Sequence, residues 1–332
     1  MPRLVALALV VLVACKSHKA RPRDAGTGDG PTDPAEVAAR LDKQCVAGDL
    51  EACRNLGVMY GEGVGVSPDP KRATALFAQA CNGKNLSACN HLALAFAEGI
   101  GIERNPQRAA ELYQQVCDGG YAMACRNLGL MLRDGRGVPA DLDRAAKLLD
   151  TACNGKVPFA CTNAGDLDAT LAAKASRSAA AAHDKRAIAH YKQGCEAGDP
   201  TGCRQIGIAY LEARGLPRST AAAAVWFERA CVSDDPIACR VLGAMLVDGV
   251  GVARDHKRGQ ELLTRACDRK DAEACRLMQV AADPAAGDGG VPHALSDAGL
   301  PQTATDAGSP AGRRPAVIPV DGRSVDAPSN PH

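Results

Sequence analysis

Residues 45–57 read Cys45-Val46-Ala47-Gly48-Asp49-Leu50-Glu51-Ala52-Cys53-Arg54-Asn55-Leu56-Gly57. Two cysteines eight positions apart flank a short, turn-forming segment. The same spacing occurs seven times, and the pairs use every cysteine except Cys15: Cys45 with Cys53, Cys81 with Cys89, Cys117 with Cys125, Cys153 with Cys161, Cys195 with Cys203, Cys231 with Cys239, and Cys267 with Cys275. Successive pairs are 36 residues apart, with one step of 42. A fixed period with cysteine pairs in phase predicts a repeat architecture.

The chain must turn back between the two cysteines of each pair. On one continuous helix, eight residues would separate them by about 12 Å, whereas a disulfide needs Cα atoms within about 7 Å. Glycines two or three residues after the first cysteine favour a left-handed helix C-cap at this point: Gly48, Gly83, Gly119, Gly155 and Gly198. The last two pairs lack this glycine, so Asp234-Asp235-Pro236 and Lys270-Asp271 must form the turn.

The first fifteen residues predict export from the cytoplasm. A basic Arg3 precedes eleven apolar residues, which are too few to span a bilayer, so we interpret residues 1–14 as a signal peptide. Leu12-Val13-Ala14-Cys15 resembles the lipobox of bacterial lipoproteins, in which the cysteine is lipid-modified after cleavage. An ordinary secretory signal with a chance cysteine is the alternative. Because Lys16 and not Asp follows, the predicted location is the outer membrane, facing the periplasm or the outside.

Export determines how the cysteines are interpreted. Thiols are oxidised outside the cytoplasm, and an even set at fixed spacing predicts a disulfide framework, here seven bridges. Zinc is the competing interpretation, because cysteine clusters can be ligands. Each pair is isolated and no Cys-x-x-Cys occurs, so the sequence predicts neither a metal nor a cofactor.

Each repeat contains two predicted helices. In the first repeat Cys53, Leu56 and Tyr60 share one helix face, and the small Gly57 lets another helix approach closely. The loop Gly63-Val64-Gly65-Val66 ends this helix. A second helix then begins at Asp69-Pro70, an N-cap residue followed by proline at the first helical position. The chain is therefore predicted to be all-α, a solenoid of stacked helix hairpins with one disulfide at each repeat junction.

These motifs resemble those of a known family. The pattern Ala-Cys-x-x-Leu-Gly-x-x-Tyr-x-x-Gly-x-Gly-Val, followed by x-x-Asp-x-x-Lys-Ala, is similar to that of the Sel-1-like repeats, relatives of tetratricopeptide repeats. The cysteine pairs resemble the secreted, disulfide-bridged Hcp-type branch. The resemblance covers residues 34–281 and implies a right-handed α-solenoid that acts as a protein-interaction scaffold. For some members of the cysteine-rich branch it also implies penicillin binding and weak β-lactamase activity.

Composition divides the rest of the chain. Residues 15–33 are basic and then rich in Gly, Asp, Pro and Thr, which predicts a lipidated, flexible tether. Residues 34–281 form the predicted solenoid, with a leading helix at 34–46, six hairpins and a final helix at 271–281. Residues 282–332 lose the period and predict a disordered tail.

The fourth repeat departs from the pattern. It lacks the loop glycines and gains six residues, followed by four alanines, which predicts longer helices. His183 and His190 lie seven residues apart in this stretch. Two imidazoles without a third ligand are a weak metal signal, so a surface pair is favoured. In the fifth repeat Trp226 stands at the position of Leu76 and is predicted to lie in the core.

No catalytic motif was found in the sequence. A serine β-lactamase would need Ser-x-x-Lys with a Lys-Thr-Gly partner, and neither occurs; nor does His-Glu-x-x-His or a phosphate-binding glycine loop. No catalytic residue is therefore assigned. The net charge of +1 gives no electrostatic support to nucleic-acid binding.

One position of the repeat carries mostly arginine. The residues after the second cysteines, which we call the arginine column, are Arg54, Asn90, Arg126, Thr162, Arg204, Arg240 and Arg276. Asn55, His91, Asn127, Asn163 and Gln205 follow them and form the amide column. We predict a concave track for an acidic or extended polypeptide. The alternative is local pairing of the arginines with carboxylates of the preceding turn, such as Asp49 and Asp199.

Two functional interpretations remain open. The first is a non-enzymatic, envelope-anchored scaffold that binds an unidentified protein or extended polypeptide and contacts the membrane through a lipid on Cys15. The second is a penicillin-binding or weakly β-lactam-hydrolysing protein, for which the ligand would be a β-lactam or a peptidoglycan fragment.

Overall fold

The computed structural model describes residues 33–282, with side chains to residue 278. The predicted signal peptide, Cys15, the tether and the tail after residue 282 lie outside this range. Within it the chain forms fourteen α-helices and no strand. These are α1 (Pro34–Val46), α2 (Leu50–Glu62), α3 (Pro70–Asn82), α4 (Leu86–Glu98), α5 (Pro106–Asp118), α6 (Ala122–Asp134), α7 (Leu142–Asn154), α8 (Ala160–Lys174), α9 (Arg177–Glu196), α10 (Pro200–Glu212), α11 (Thr220–Val232), α12 (Pro236–Asp248), α13 (His256–Asp268) and α14 (Ala272–Ala282).

The helices stack as hairpins, and the all-α solenoid prediction is confirmed. The even-numbered helices from α2 to α12 are the first helices of six repeats, and each packs against the second helix that follows it. The local signals act as expected in the first hairpin. Gly63 ends α2 with φ 73°, and the Asp69 side chain accepts a hydrogen bond from the backbone of Arg72 at the start of α3.

Each hairpin closes because a small residue allows close helix packing. A Cβ atom on Gly57 would lie 2.6 Å from Cε1 of Phe77, so the α3 ring rests directly on the α2 backbone. The predicted face of α2 is buried: Cys53 is 0% and Leu56 is 1% exposed. The loops approach their neighbours as closely, because a Cβ on Gly101 would lie 2.0 Å from the carbonyl oxygen of Pro70.

Seven disulfides join the paired cysteines at the junctions, as predicted. Their Cα atoms are 4.5 to 4.8 Å apart, within the range that a bridge requires. The second cysteine of each pair lies in the first turn of a first helix or of α14, and it is buried everywhere except in the last pair, where Cys275 is half-buried. The bridges are Cys45 with Cys53, Cys81 with Cys89, Cys117 with Cys125, Cys153 with Cys161, Cys195 with Cys203, Cys231 with Cys239, and Cys267 with Cys275.

The turn between the two cysteines has the same backbone at every junction. The third residue after each first cysteine is left-handed, at Gly48, Lys84, Gly120, Lys156, Gly198, Asp234 and Lys270. The next N–H donates back to the carbonyl before the cysteine, as from Asp49 to Gln44 over 3.0 Å. This Schellman-type closure brings the two sulfurs together.

The glycine prediction is right at two junctions and wrong at three. Gly48 and Gly198 are left-handed, but Gly83, Gly119 and Gly155 have φ values of −80°, −73° and −73°. These three glycines are required by packing instead. A Cβ on Gly83 would lie 2.3 Å from Leu50 Cδ1, and one on Gly155 would lie 2.6 Å from Ala122 Cβ. Asp234 and Lys270 form the glycine-free turns, as predicted.

The fourth hairpin is longer, as expected, and divides the core. α8 has 15 residues and α9 has 20, against 13 in the other hairpin helices. The buried apolar side chains form two large clusters that meet in α8. One runs from Val58 to Leu167 and the other from Ala169 to Leu277. Trp226, which was predicted to lie in the core, is half-buried and packs against the second cluster.

The fourth hairpin also begins late. In the other first helices the N-cap position holds Asp, Asn or Tyr, whereas the corresponding residue before α8 is Val157. Valine cannot accept a capping hydrogen bond. This helix starts at Ala160, two residues late, after Phe159 in a left-handed conformation with φ 61°. The missing cap is not sufficient to explain the delay, because α6 starts on time after Tyr121, which makes no side-chain capping bond.

None of the fourteen helices between residues 33 and 282 is long and apolar enough to cross a membrane.

Candidate partner-binding surface

The predicted partner-binding residues lie on the first helices of consecutive repeats. All ten are buried or half-buried: Arg54, Asn55, Asn90, His91, Arg126, Asn127, Asn163, Arg204, Gln205 and Arg240. Most make contacts with the neighbouring repeat. Much of their hydrogen-bonding capacity is therefore used within the solenoid, and the arginine column divides into members with different partners.

Arg204 and Arg240 form ion pairs between repeats. Arg204 Nε donates to Asp235 Oδ2 over 3.0 Å, and Arg240 Nε lies 3.2 Å from Asp271 Oδ2. These carboxylates also cap α12 and α14, where they accept from the backbone N–H groups of Ala238 and Ala274. The side chains of both arginines are at most 12% exposed. The two pairs join one first helix to the start of the next.

The alternative of pairing with carboxylates of the preceding turn agrees with Arg54 and Arg276 but not with Arg204 and Arg240. The named examples, Asp49 and Asp199, are not the partners of any of these arginines, and Arg204 and Arg240 pair with the turn that follows. The reason is geometric: the side chain of each arginine reaches the N-cap of the next first helix, 31 residues later for Arg204. Asp199 instead accepts from the hydroxyl of Thr162, the preceding member of the column.

Arg54 and Arg276 pair within their own helices. Arg54 binds Glu51, and Arg276 binds Glu273, in both cases one turn earlier. Glu51 also accepts from the amide of Asn85 over 2.9 Å. Asn85 occupies the position at which Asp235 and Asp271 stand in later repeats, which explains why Arg54 has no carboxylate there.

Arg126 is bonded to an amide and to no carboxylate among the described residues. Its Nε donates to Asn163 Oδ1 over 2.8 Å. Burial lowers the pKa of Arg126, and the charge of Arg133 lowers it further, although the charge of Asp199 acts in the opposite direction. The corresponding cap position, 31 residues later, is Val157.

The amide column contributes further contacts between repeats. Asn127 Nδ2 donates to Asn90 Oδ1 over 3.1 Å, and Gln205 Nε2 donates to Asp166 Oδ1 over 3.3 Å. The His91 ring stacks on Phe77, with centroids 4.8 Å apart. Burial raises the pKa of Asp166, and the hydrogen bond from Tyr191 opposes this effect. The columns thus form a nearly continuous polar ladder along the first helices.

A pocket lies beside the middle of this ladder. It is a small cavity of about 70 Å³ between α4, α5 and α6. Leu94, Leu130 and Met131 provide apolar walls, and Asn127 and Tyr113 add polar groups. Burial raises the pKa of Tyr113, and the charge of Glu98 raises it further. The pocket could hold an apolar side chain next to the polar ladder.

The predicted surface pair of histidines is wrong. His183 and His190 are half-buried, and both contact Asp168 on α8. Their Nδ1 atoms lie 3.2 and 3.1 Å from its carboxylate oxygens, and Arg186 Nη2 donates to it over 2.8 Å. His190 Nε2 also lies 3.2 Å from Asp150. The longer α9 directs these side chains inward, and the cluster is an ion-pair network.

The sequence carried a signal for Asp168 that single motifs did not show. In the other repeats the same position holds Tyr60, Phe96, Leu132, Tyr210 and Leu246. An aspartate among aromatic and aliphatic residues at a core position requires partners, and Asp168 is only 5% exposed. Among the described residues, no group of three or more His, Cys, Asp or Glu side chains is arranged to hold a metal ion.

Comparison with known proteins gives the chain a family context. The model of the Sel1 repeat matches residues 50–85, 86–121, 122–156, 184–199, 200–231 and 236–271, more than half of the chain. Searching curated proteins gave no match. Two solved structures, each 22% identical, share the fold. One is c5321, a protective antigen of uropathogenic Escherichia coli with an SLR fold (TM-score 0.62), which covers 78% of this chain. The other is a Sel1 repeat protein from Oxalobacter formigenes (TM-score 0.61), which covers 71%. This chain spans 55% of the first protein and 99% of the second.

Proposed function

Because the chain belongs to the Sel1 repeat proteins, we propose that it is a non-enzymatic scaffold that binds an extended polypeptide along its first helices. Proteins of this family are typically protein-interaction scaffolds. The observation that carries the proposal is the polar ladder, in which side chains of successive first helices contact one another. Contacts such as Asn90–Asn127 and Arg126–Asn163 place hydrogen-bonding groups at the spacing of the repeat. An extended chain suits such a row, because its own polar groups recur at regular intervals.

We also propose that the scaffold is exported and anchored in the outer membrane. Seven disulfides favour an oxidising compartment. The lipobox-like segment that ends at Cys15 supports a lipid anchor. Replacing Cys15 with Ala should move the protein from the membrane fraction to the soluble extracytoplasmic fraction. Retention of the Cys15→Ala protein in the membrane would contradict the anchor without affecting the scaffold proposal.

Site-specific photocrosslinking in intact envelopes tests the scaffold. A photoreactive residue at Asn55 or Asn127 probes the first helices. Matched controls at Gln107 and Lys147 probe exposed positions on second helices. We expect the same captured polypeptide from both first-helix positions and none from the controls. Equal capture from both sets, or capture from the controls alone, would contradict the proposed surface.

The hydrolase alternative has family resemblance as its only support, and no contact among the described residues favours it. A chromogenic β-lactam assay with mass analysis of the protein addresses it directly. Turnover or an acylated adduct would revive that alternative, and neither is expected.

A further inference from the structure

Four of the five arginines of the arginine column are matched to carboxylates. Arg54 binds Glu51, Arg204 binds Asp235, Arg240 binds Asp271 and Arg276 binds Glu273. Arg126 is the exception within residues 33–278, because its hydrogen-bond partner is the neutral oxygen of Asn163. A half-buried guanidinium without a counter-ion is costly compared with a paired one. Its lack of a counter-ion therefore requires an explanation.

The missing carboxylate follows from one residue of the fourth repeat. Arg204 and Arg240 reach the cap aspartates of the next first helix, and Val157 stands at the equivalent cap position for Arg126. The backbone leading to Val157 matches that of other junctions, because Val157 N–H donates to Ala152 as Asp235 N–H donates to Ala230, and it differs from them only after Val157. The junction could therefore accommodate an aspartate at this position. With valine there, the scaffold has no internal anion to offer Arg126.

The carboxylate whose charge acts on Arg126 is already engaged elsewhere. Asp199 accepts from Thr162 and from the backbone of Thr201. The Nε of Arg126 is held by Asn163, which fixes the plane of the guanidinium. Its two Nη groups make no hydrogen bond to any described residue, and together they match the two oxygens of a carboxylate.

We propose that Arg126 is a binding site for a carboxylate of the extended polypeptide that the scaffold captures. This inference rests on the proposed function and specifies its chemistry. Arg126 contacts Asn163 of the following repeat, and the next residue, Asn127, contacts Asn90 of the preceding one, so a carboxylate bound at Arg126 would lie on the polar ladder. A polypeptide that runs along the ladder presents further polar groups to it, which a free anion does not.

Binding of short fluorescent peptides to the full chain tests the site. One probe, Gly-Glu-Leu-Glu-Gly with an amidated end, carries side-chain carboxylates. A second, Gly-Gln-Leu-Gln-Gly with a free end, carries only the terminal carboxylate, and its amidated form carries none. At low salt we expect at least one carboxylate probe to bind and the neutral probe not to bind. The stronger of the two carboxylate probes identifies the source of the group.

Variants separate the site from general electrostatics. Arg126→Gln should weaken binding by tenfold or more, the loss expected for a charge-assisted hydrogen bond. Arg108→Gln removes the same charge from an exposed arginine of the second helix α5, where it is paired with Glu111, and should change binding less than twofold. Equal effects of the two variants, or binding of the neutral probe as tightly as the others, would overturn the site. If Arg126→Gln does not weaken peptide binding while envelope crosslinking still maps to the first helices, the carboxylate site is wrong and the scaffold proposal stands. Loss of first-helix crosslinking would remove the scaffold itself.

Discussion

The first and fourth hairpins make different kinds of side-chain contact at equivalent positions of the repeat. In the first hairpin the guanidinium of Arg72 lies 4.4 Å from the ring of Tyr60, and Arg72 pairs with Asp42 across the second helices. In the fourth, Asp168 replaces the tyrosine, Arg186 replaces Arg72, and Asp150 replaces Asp42. His190 stands where Leu76, Leu112 and Leu148 stand in earlier repeats. An arginine stacked on an aromatic ring has become a buried carboxylate at the centre of a polar network.

The difference shows what the repeat requires and what it tolerates. The close packing of helix on helix is kept, because a Cβ on Gly165 would lie 2.6 Å from Tyr191 just as one on Gly57 would from Phe77. The positions of Tyr60 and Leu76, which Asp168 and His190 occupy in the fourth hairpin, are not restricted to apolar residues. The replacement lies where the two apolar clusters meet. The fourth hairpin therefore depends on polar contacts for the continuity of the solenoid.

The largest effect is expected from removing the centre of the network. Asp168→Ala should reduce the free energy of unfolding by about 3 kcal/mol, because it removes charged hydrogen bonds from a buried carboxylate. Asp150→Ala should cost less than about 1 kcal/mol, since its side chain is 50% exposed. Urea denaturation measures both. A loss for Asp168→Ala no greater than that for Asp150→Ala would show that the network is incidental.

Apolar residues at positions 168 and 190 should make the stability of the fourth hairpin independent of the charged network. The double variant Asp168→Leu/His190→Leu gives the fourth hairpin the residues found at these positions in other repeats. A buried ionic group can be replaced by well-packed apolar residues at little cost, so we expect stability within about 1 kcal/mol of the wild type. A double variant as unstable as Asp168→Ala would mean that the two hairpins are not interchangeable.

A disulfide should be worth slightly less than Asp168, and nearly the same in both regions. Each bridge closes a ring of about nine residues, which corresponds to roughly 2.5 kcal/mol on the chain-entropy model. Replacing Cys81 and Cys89 together, or Cys153 and Cys161 together, with alanine should give similar losses in thermal or urea unfolding. A much larger loss at the second pair would indicate that the fourth hairpin relies on its bridge more than the regular ones do.

Local signals predicted the architecture well because they act within a few residues. The cysteine spacing, Asp69-Pro70 and the loop glycines each predicted the element in which they are found. The predicted roles of Gly83, Gly119 and Gly155 were wrong because these glycines pack against Leu50, Leu86 and Ala122, respectively, at the start of the preceding first helix. Arginine partners were misplaced for the same reason. Asp168 was overlooked because its meaning appears only when its repeat is compared with the others.

Acid should weaken the fourth hairpin selectively. Burial raises the pKa of Asp168, but hydrogen bonds from His190, Arg186 and His183 outweigh it and hold that pKa below its usual value. The carboxylate therefore stabilises the fold above about pH 4, the unfolded value. This contribution is lost as pH falls through the folded pKa. Unfolding of wild type and Asp168→Asn should be compared between about pH 5 and about pH 2.5, a range that spans the titration of an aspartate. The stability difference should shrink towards the acid end of this range, and a constant difference would contradict this assignment.

The smallest change in stability is expected from the substitution that carries the most information. Val157→Asp would place a carboxylate at the position where Arg204 and Arg240 find theirs. If α8 then began at residue 158, as α10 and α12 begin directly after their cap aspartates, the new N-cap would contribute about 0.5–2 kcal/mol. Val157 is half-buried, so the loss of its apolar contacts offsets part of that gain. We expect a net gain near the lower end of that range in urea unfolding, and Val157→Asn serves as the uncharged control.

The central claim is that Arg126 is left without a carboxylate by the scaffold so that it can bind a partner's carboxylate. Binding of the carboxylate-bearing peptides to Val157→Asp tests this claim most directly, because the variant keeps Arg126 and is expected to remain folded. The account predicts that Val157→Asp loses most peptide binding, while Val157→Asn retains it. Undiminished binding to a folded Val157→Asp protein would contradict the account.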